Sequence, residues 1–391
     1  MTEDELVAAC TDLADVLAAH ADEGERLRRV PDPVLSAVHQ AGILDAVVPT
    51  SLGGSGLGLA ALCDATRVLA HGCPASAWTI SFLMQHAWFV TKLPAEGRAD
   101  LFAGTTAPTV ACPLAPTGVA VPTDDGYRLT GRWEYATAVR HADWVMVHGV
   151  VDTSGVEGAD DGGFATRFAV VPVDAVAIEE VWHTSGMRAT GSETVVLEDV
   201  EVPAHRTVAG QDLLDGGPTV PGDGLAGLPI MSVLALSAAS PALGAAEAAV
   251  EHYRARTRAR VLAYSLGDRA AEQPAAQIRL AGAVDAVAAA GEHHRRAVGA
   301  ITAAAAGGSP DDLARVTAKL AAASTVRSAR AVMGAVCEGA GAAVYQQSHP
   351  LQRLQRDVEV LKGHVAFDWD RTAELAGRIM LGGSLGPTDM A

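Results

Sequence analysis

The hydrophobic period of this 391-residue chain changes twice, and those changes constrain its fold more than any single motif. Up to about residue 107, apolar residues recur at three and four, the spacing of helices with one buried face. Residues 3–21, 31–42, 57–71 and 75–90 read as helices, and the segment 47–54 (VVPTSLGG) as a turn among them. From about 108 the pattern alternates. Segments 127–135, 144–147, 168–172 and 194–200 are strand-like, Asp124-Asp125-Gly126 marks a hairpin, and 152–163 reads as an exposed loop. Strands with no helical stretch between them predict an antiparallel barrel or sandwich. From about 221 the helical period returns over 229–262, 270–306, 310–341 and 350–381, with Pro241 placed to kink or split the first. The expectation is an α+β chain with an N-terminal helical domain (1–107), a central antiparallel β-domain (108–220) and a C-terminal four-helix bundle (221–391).

Several functions are excluded by what the chain lacks. A net charge of −17 argues against nucleic acid as a partner, because phosphate binding needs clustered Lys and Arg. No unbroken apolar run reaches the length of a membrane span, and the acidic, helical N-terminus is unlike a signal peptide. The five cysteines are scattered without CxxC spacing, which predicts neither a disulfide framework nor a zinc site and suits a reducing cytoplasm. His293-His294 lacks further ligand spacing, so no metal is expected. No GxGxxG or GxxxxGK[ST] string opens a helix after a strand, so no NAD(P)H site is visible. The GxSxG string at Gly382–Gly386 follows a helix in the terminal tail, the wrong place for a nucleophile elbow.

The segment from Cys337 to Asp370 carries the densest set of candidates. Gly339 and Gly341 permit close backbone approach, and Pro350 opens an amphipathic helix on Leu351, Leu354, Val358, Leu361 and Val365. If that helix continues, Asp357 and His364 lie within roughly 20° of each other at the stripe's edge. This stretch resembles the C-terminal signature of flavin-dependent monooxygenases built on the acyl-CoA dehydrogenase fold: Tyr345, then Pro350–Arg353, Arg356-Asp357 and His364. Dehydrogenases of that fold place a Tyr-Glu-Gly-Thr segment here and often use its Glu as base; this chain reads Tyr345-Gln346-Gln347-Ser348. Elsewhere, Gly186–Ser192 (GMRATGS) resembles the family's most specific β-domain string, and the order helices, β-domain, bundle resembles the whole family architecture.

The resemblance implies an oxygenase component of a two-component system. It would use reduced FAD or FMN, with FAD preferred, and O2 through a C4a-hydroperoxide to hydroxylate a small phenolic or other aromatic substrate. A separate NAD(P)H:flavin reductase would supply the reduced flavin. It further implies that Cys112, Trp133, Tyr135, Thr137, Ser192, Arg260, Tyr264, Gly339 and Gly341 contact flavin. His86 and His364 would line the substrate pocket, one as the phenol's base, with Asp357 orienting His364 from the same helix. Alternation along 133–137 would put Trp133, Tyr135 and Thr137 on one face. From the residues alone, Cys112 and Trp133 are equally well ordinary packing residues, and His86 a satisfied core histidine. The alanine-rich helices suggest a homotetramer or homodimer. Two alternatives remain open: N-oxygenation of an amine or amino sugar, and a true acyl-CoA dehydrogenase with Glu338 as base.

Overall fold

The computed structural model describes residues 1–152, 154, 165–386, 389 and 391; the loop expected over 152–163 falls mostly outside them. Six helices come first: α1 (Glu3–Ala19), α2 (Ala21–Leu27), α3 (Asp32–Ala41), α4 (Leu59–Leu69), α5 (Pro74–Phe89) and α6 (Ala95–Leu101). Thr2 and Glu5 close a capping box at the start of α1, satisfying donors that a helix N-terminus otherwise leaves open. α5 is apolar all round, which is the composition of a helix with no solvent face, and all of its residues are buried. It packs against β1, the turn at 188–190 and two C-terminal helices, so it forms the centre of the molecule.

Eight strands follow among the described residues: β1 (Val110–Ala111), β2 (Gly118–Pro122), β3 (Gly126–Ala136), β4 (Trp144–Val151), β5 (Thr166–Pro172), β6 (Ala177–Glu179), β7 (Glu193–Pro203) and β8 (Thr207–Ala209). They form one sheet in the order β6-β7-β3-β2-β4-β5-β8, with β1 beside β4. Most pairings are antiparallel as expected, and the predicted hairpin joins β2 to β3. The sheet is nevertheless mixed, because β4 lies parallel to both β1 and β2. The register of β3 against β7 shifts between Trp133 and Ala136, and Tyr135 takes a positive φ of 64°. That bulge ends strict alternation. Trp133 therefore points into the β-core, fully buried, while Tyr135 is exposed.

After the short α7 (Gly210–Leu214) come the bundle helices α8 (Ile230–Ala259), α9 (Pro274–Ala306), α10 (Asp312–Ala340), α11 (Pro350–Leu361) and α12 (Trp369–Met380). α8 runs through Pro241 without splitting. In the turn before the proline, His294 of α9 donates to the Leu236 carbonyl at 2.8 Å. α8 is long and apolar enough to cross a membrane, yet 94% of its most apolar window is buried inside the fold. The helix expected over 350–381 is two helices. Gly363 weakens the chain where α11 ends, and Asp368 caps a new start by accepting from the Arg371 amide. His364 lies in the junction between them, so it does not share a helix with Asp357.

The Gly- and Pro-rich segment 215–229 is stitched down rather than loose. The Lys92 ammonium and Asp223 carboxylate meet at 2.5 Å with both side chains fully buried. Asp223 also accepts from Trp88 Nε1 at 3.0 Å and from the Leu225 amide at 2.9 Å, and Lys92 donates to the Pro218 carbonyl. A buried ion pair is tolerated only when the remaining donors and acceptors are satisfied in this way.

Candidate active site

One face of α5 carries Trp78, Phe82 and His86 at successive i, i+4 positions, which stacks them along the helix. Trp78 and Phe82 are stacked 4.6 Å apart, and the His86 ring stands edge-on to Phe82 at 5.3 Å. His364 arrives from the α11–α12 junction and meets Trp78 edge-on at 5.3 Å. Thus the two histidines expected to line the pocket stand at opposite ends of one aromatic pair. Trp78 and Phe82 retain 6% and 8% exposure on a helix whose residues 79–81 and 83–89 retain at most 2%, so this face borders open space.

The two rings are held in opposite tautomers. His86 Nδ1 lies 2.8 Å from the Val110 carbonyl, which can only accept, so Nδ1 carries the hydrogen and Nε2 keeps a lone pair. That buried Nε2 has no partner among the described residues. His364 Nδ1 accepts from the Ala366 amide at 3.3 Å, so in the neutral ring the hydrogen sits on Nε2. Burial lowers both side chains to a pKa of about 4, so both are neutral near pH 7. One ring offers an acceptor and the other a donor.

A row of hydroxyls crosses the β-domain nearby. Thr190 Oγ1 donates to the Met187 carbonyl at 2.9 Å, Ser192 Oγ lies 2.8 Å from Thr190 Oγ1, and Thr137 Oγ1 lies 2.8 Å from Ser192 Oγ. Thr137 and Ser192, both anticipated, are therefore brought into direct contact, and Ser192 continues the row to Thr190. Thr190 stands inside the GMRATGS string but has no spacing signal of its own. Cys112, just past β1, is buried, and burial pushes its thiol pKa well up, so it stays protonated.

Three positions answer differently from expectation. Trp133 donates from Nε1 to the His148 carbonyl at 2.7 Å and is fully buried within the β-core, so it has no surface to offer a flavin. Asp357 does not reach His364; its Oδ1 accepts from the Met187 amide at 2.5 Å, and burial raises its carboxyl to about 7. Gly186 allows this contact, since a Cβ there would lie 2.1 Å from the Arg356 carbonyl. Glu338, the base a dehydrogenase would need, is exposed on α10.

A cationic cluster forms where α10 ends. Arg256 donates to the Ala340 carbonyl at 2.7 Å and Arg260 to the Gly339 carbonyl at 3.3 Å. Gly341 has a φ of 79°, and a Cβ there would sit 2.8 Å from the Arg260 guanidinium; at Gly339 a Cβ would meet Arg279 at 2.5 Å. The glycines thus make room for arginines rather than for a neighbouring backbone. Among the described residues none of these three arginines has an ion-pair partner. Arg256 and Arg279 carry no sequence mark that separates them from ordinary surface arginines. Tyr264 stands fully exposed on the adjoining loop, which also carries exposed Val261 and Leu266.

Comparison with known proteins matches residues 2–95 to the acyl-CoA dehydrogenase N-terminal domain and 236–369 to the acyl-CoA dehydrogenase C-terminal domain. The chain is 30% identical to the oxygenase component of an FADH2-dependent resorcinol hydroxylase from Rhizobium sp. (strain MTP-10005), covering 96% of this chain and 94% of that one. It is 28% identical to the oxygenase subunit HsaA of a flavin-dependent monooxygenase from Rhodococcus jostii (strain RHA1), over 93% and 95% of the two chains. Among solved structures, XiaF from Streptomyces sp. in complex with FADH2 and glycerol superposes with a TM-score of 0.89 at 28% identity, over 99% of this chain and 97% of that one.

Proposed function

Since the chain belongs to the flavin-dependent monooxygenases of the acyl-CoA dehydrogenase fold, as the oxygenase component to which a separate reductase supplies reduced flavin, we propose that it hydroxylates a small phenolic substrate with His86 as base. The observation that carries this reading is the pair of opposite tautomers on one aromatic wall. His86 Nε2 holds the buried, unpartnered lone pair to which a phenol O–H can donate. Deprotonation raises electron density at the ring carbon to be oxidised. His364 presents an Nε2–H that steadies a developing negative oxygen. Trp78 and Phe82 pack an aromatic ring and keep water away.

The residues present also fit a flavin. Thr137 and Ser192 would meet its ring system, and Arg260, with Arg256 and Arg279, would hold its phosphates, since guanidinium forks donate to phosphate in pairs. Reduced flavin, when bound, supplies with O2 the oxygen atom and electrons of the reaction. FAD is the preferred form. Exposed Tyr264 and its apolar neighbours support a homo-oligomer, tetramer or dimer, in which a second copy covers this loop. The five free, buried cysteines accord with a cytoplasmic setting.

The test is turnover of simple phenols with chemically reduced FAD and O2. H86L should lower ring hydroxylation by about 10²-fold or more, the usual worth of a general base, while affinity for reduced FAD holds. Unchanged hydroxylation in H86L removes His86 from the chemistry.

A further inference from the structure

The hydroxyl row has a direction. Each hydroxyl owns one hydrogen, and Thr190 commits its own to the Met187 carbonyl. Ser192 must then donate to Thr190, and Thr137 to Ser192. All three hydrogens point towards Met187, and the outer end of the row, Thr137, is left with lone pairs. The direction therefore originates at the Met187 carbonyl, which also accepts from Trp182 Nε1 at 2.9 Å.

Met187 is an unusual anchor. It is a buried, non-glycine residue at φ 52°, a left-handed conformation that costs about 1 kcal/mol without external support. The support comes from α11. Asp357 accepts from the Met187 amide, Arg356 donates to the Ser185 carbonyl at 2.6 Å, and Arg356 and Arg353 pair with Glu25 and Asp22 of α2. One helix thus braces the turn from one side and locks α2 from the other. Charged groups facing Asp357 are Arg353 and Arg356 on its own helix and Glu25 on α2, with the Cys73 thiol ahead of α5.

We propose that Asp357 is a positioning residue: by holding the Gly186–Met187 turn it fixes the direction of the Thr190–Ser192–Thr137 row, so that Thr137 meets the flavin as an acceptor and the site favours reduced over oxidised flavin. This rests on the reading that Thr137 faces the flavin ring. The chemistry is simple. Reduced flavin carries an N–H on its central ring where oxidised flavin carries a lone pair, so an acceptor attracts the first and repels the second. For an enzyme fed by a separate reductase, such a row rejects the spent cofactor.

Anaerobic titration of the full chain with dithionite-reduced FAD, and with oxidised FAD, gives the ratio of the two dissociation constants. The wild type should favour reduced FAD by about tenfold or more, the worth of one hydrogen bond made rather than opposed. D357N keeps an oxygen for the Met187 amide and should keep the ratio. D357L removes it and should bring the ratio close to one. T190V cuts the row without touching Asp357, predicts the same collapse, and carries the test should D357L not fold. A wild-type ratio near one, a D357L or T190V ratio equal to wild type, or D357N falling together with D357L overturns the inference. T137V separates the two layers. If T137V leaves both constants unchanged, the flavin-facing reading fails with the inference; if only T137V shifts the ratio, the flavin-facing reading stands and the role of Asp357 falls.

Discussion

Removing Asp223 should expose how the 215–229 segment is held. In D223L the Lys92 ammonium loses the one carboxylate paired with it among the described residues, at a site where its side chain has no exposure. Keeping the charge there unpaired is costed at about 3–5 kcal/mol. Lys92 can instead shed its proton, since burial already lowers its pKa, and against an unfolded value of about 10.4 that costs about 4 kcal/mol at pH 7.5. Both routes give about 4 kcal/mol, with the loss of the acceptor for Trp88 Nε1 added to either. The second route has a distinctive pH dependence. With Lys92 neutral when folded and charged when unfolded, the unfolded state binds the extra proton, so stability rises by about 1.4 kcal/mol per pH unit up to the unfolded pKa. Urea unfolding of wild type, D223L and K92M/D223L at pH 7 and pH 9 reads all of this. D223L should be about 4 kcal/mol weaker at pH 7 and recover most of that by pH 9. The double variant should regain all but about 1–2 kcal/mol at either pH, because no charge is left to bury. A D223L deficit below about 1 kcal/mol at both pH values refutes the assignment, while a full deficit that stays flat with pH shows that Lys92 keeps its charge by the first route.

Three further outcomes follow from the described geometry. W133F should cost about 1–2 kcal/mol of stability through the lost bond to the His148 carbonyl, with FAD affinity by fluorescence titration unchanged; a weakened affinity would return Trp133 to the flavin site. G341A should displace the Arg260 guanidinium and weaken FAD binding about tenfold, and G341A/R260A should be no worse than R260A alone, whereas additive losses would separate the two residues. Acid should destabilise the fold: His86 and His364 bind fewer protons folded, with pKa about 4, than unfolded, near 6.5, so their contribution is full above pH 6.5 and lost as pH falls towards 4. Asp357, raised to about 7, works in the opposite sense and weakens the fold as pH rises from about 4 to 7, so H86N should flatten the rise in thermal midpoint on the acid side whereas D357N should steepen it.

The layering of this chain was legible because periodicity reports burial, and burial is what separates a helix face from a strand face. The helices over 75–90 and 310–341 and the hairpin at 124–126 appear within a few residues of their expected places. What failed depended on single backbone events. The bulge at Tyr135 reversed a face that alternation had fixed, and the break at Gly363 moved His364 off the helix of Asp357. Neither event leaves a periodic trace, because one residue in an unusual conformation does not alter the composition around it. The candidate site was legible as residue types and positions, but not as bonds. His86 and His364 were both singled out, yet their opposite hydrogens come from the Val110 carbonyl and the Ala366 amide, which no spacing connects to them. Arg256 and Arg279 were invisible for the same reason, since their partner is the end of another helix.

The bonds from α11 to α2 have a consequence in time. Arg353 to Asp22 and Arg356 to Glu25 each span 331 residues of sequence. During synthesis at about 5–20 residues per second, α2 waits roughly 15 to 65 s after it emerges before its partners exist. The Gly186–Met187 turn, made 170 residues before Asp357, stays unbraced for the second half of that interval, and until then the hydroxyl row that ends at Thr137 has no fixed sense. The chain can complete its helical and β layers early, while its chemistry is assembled only when the last two helices close the ring.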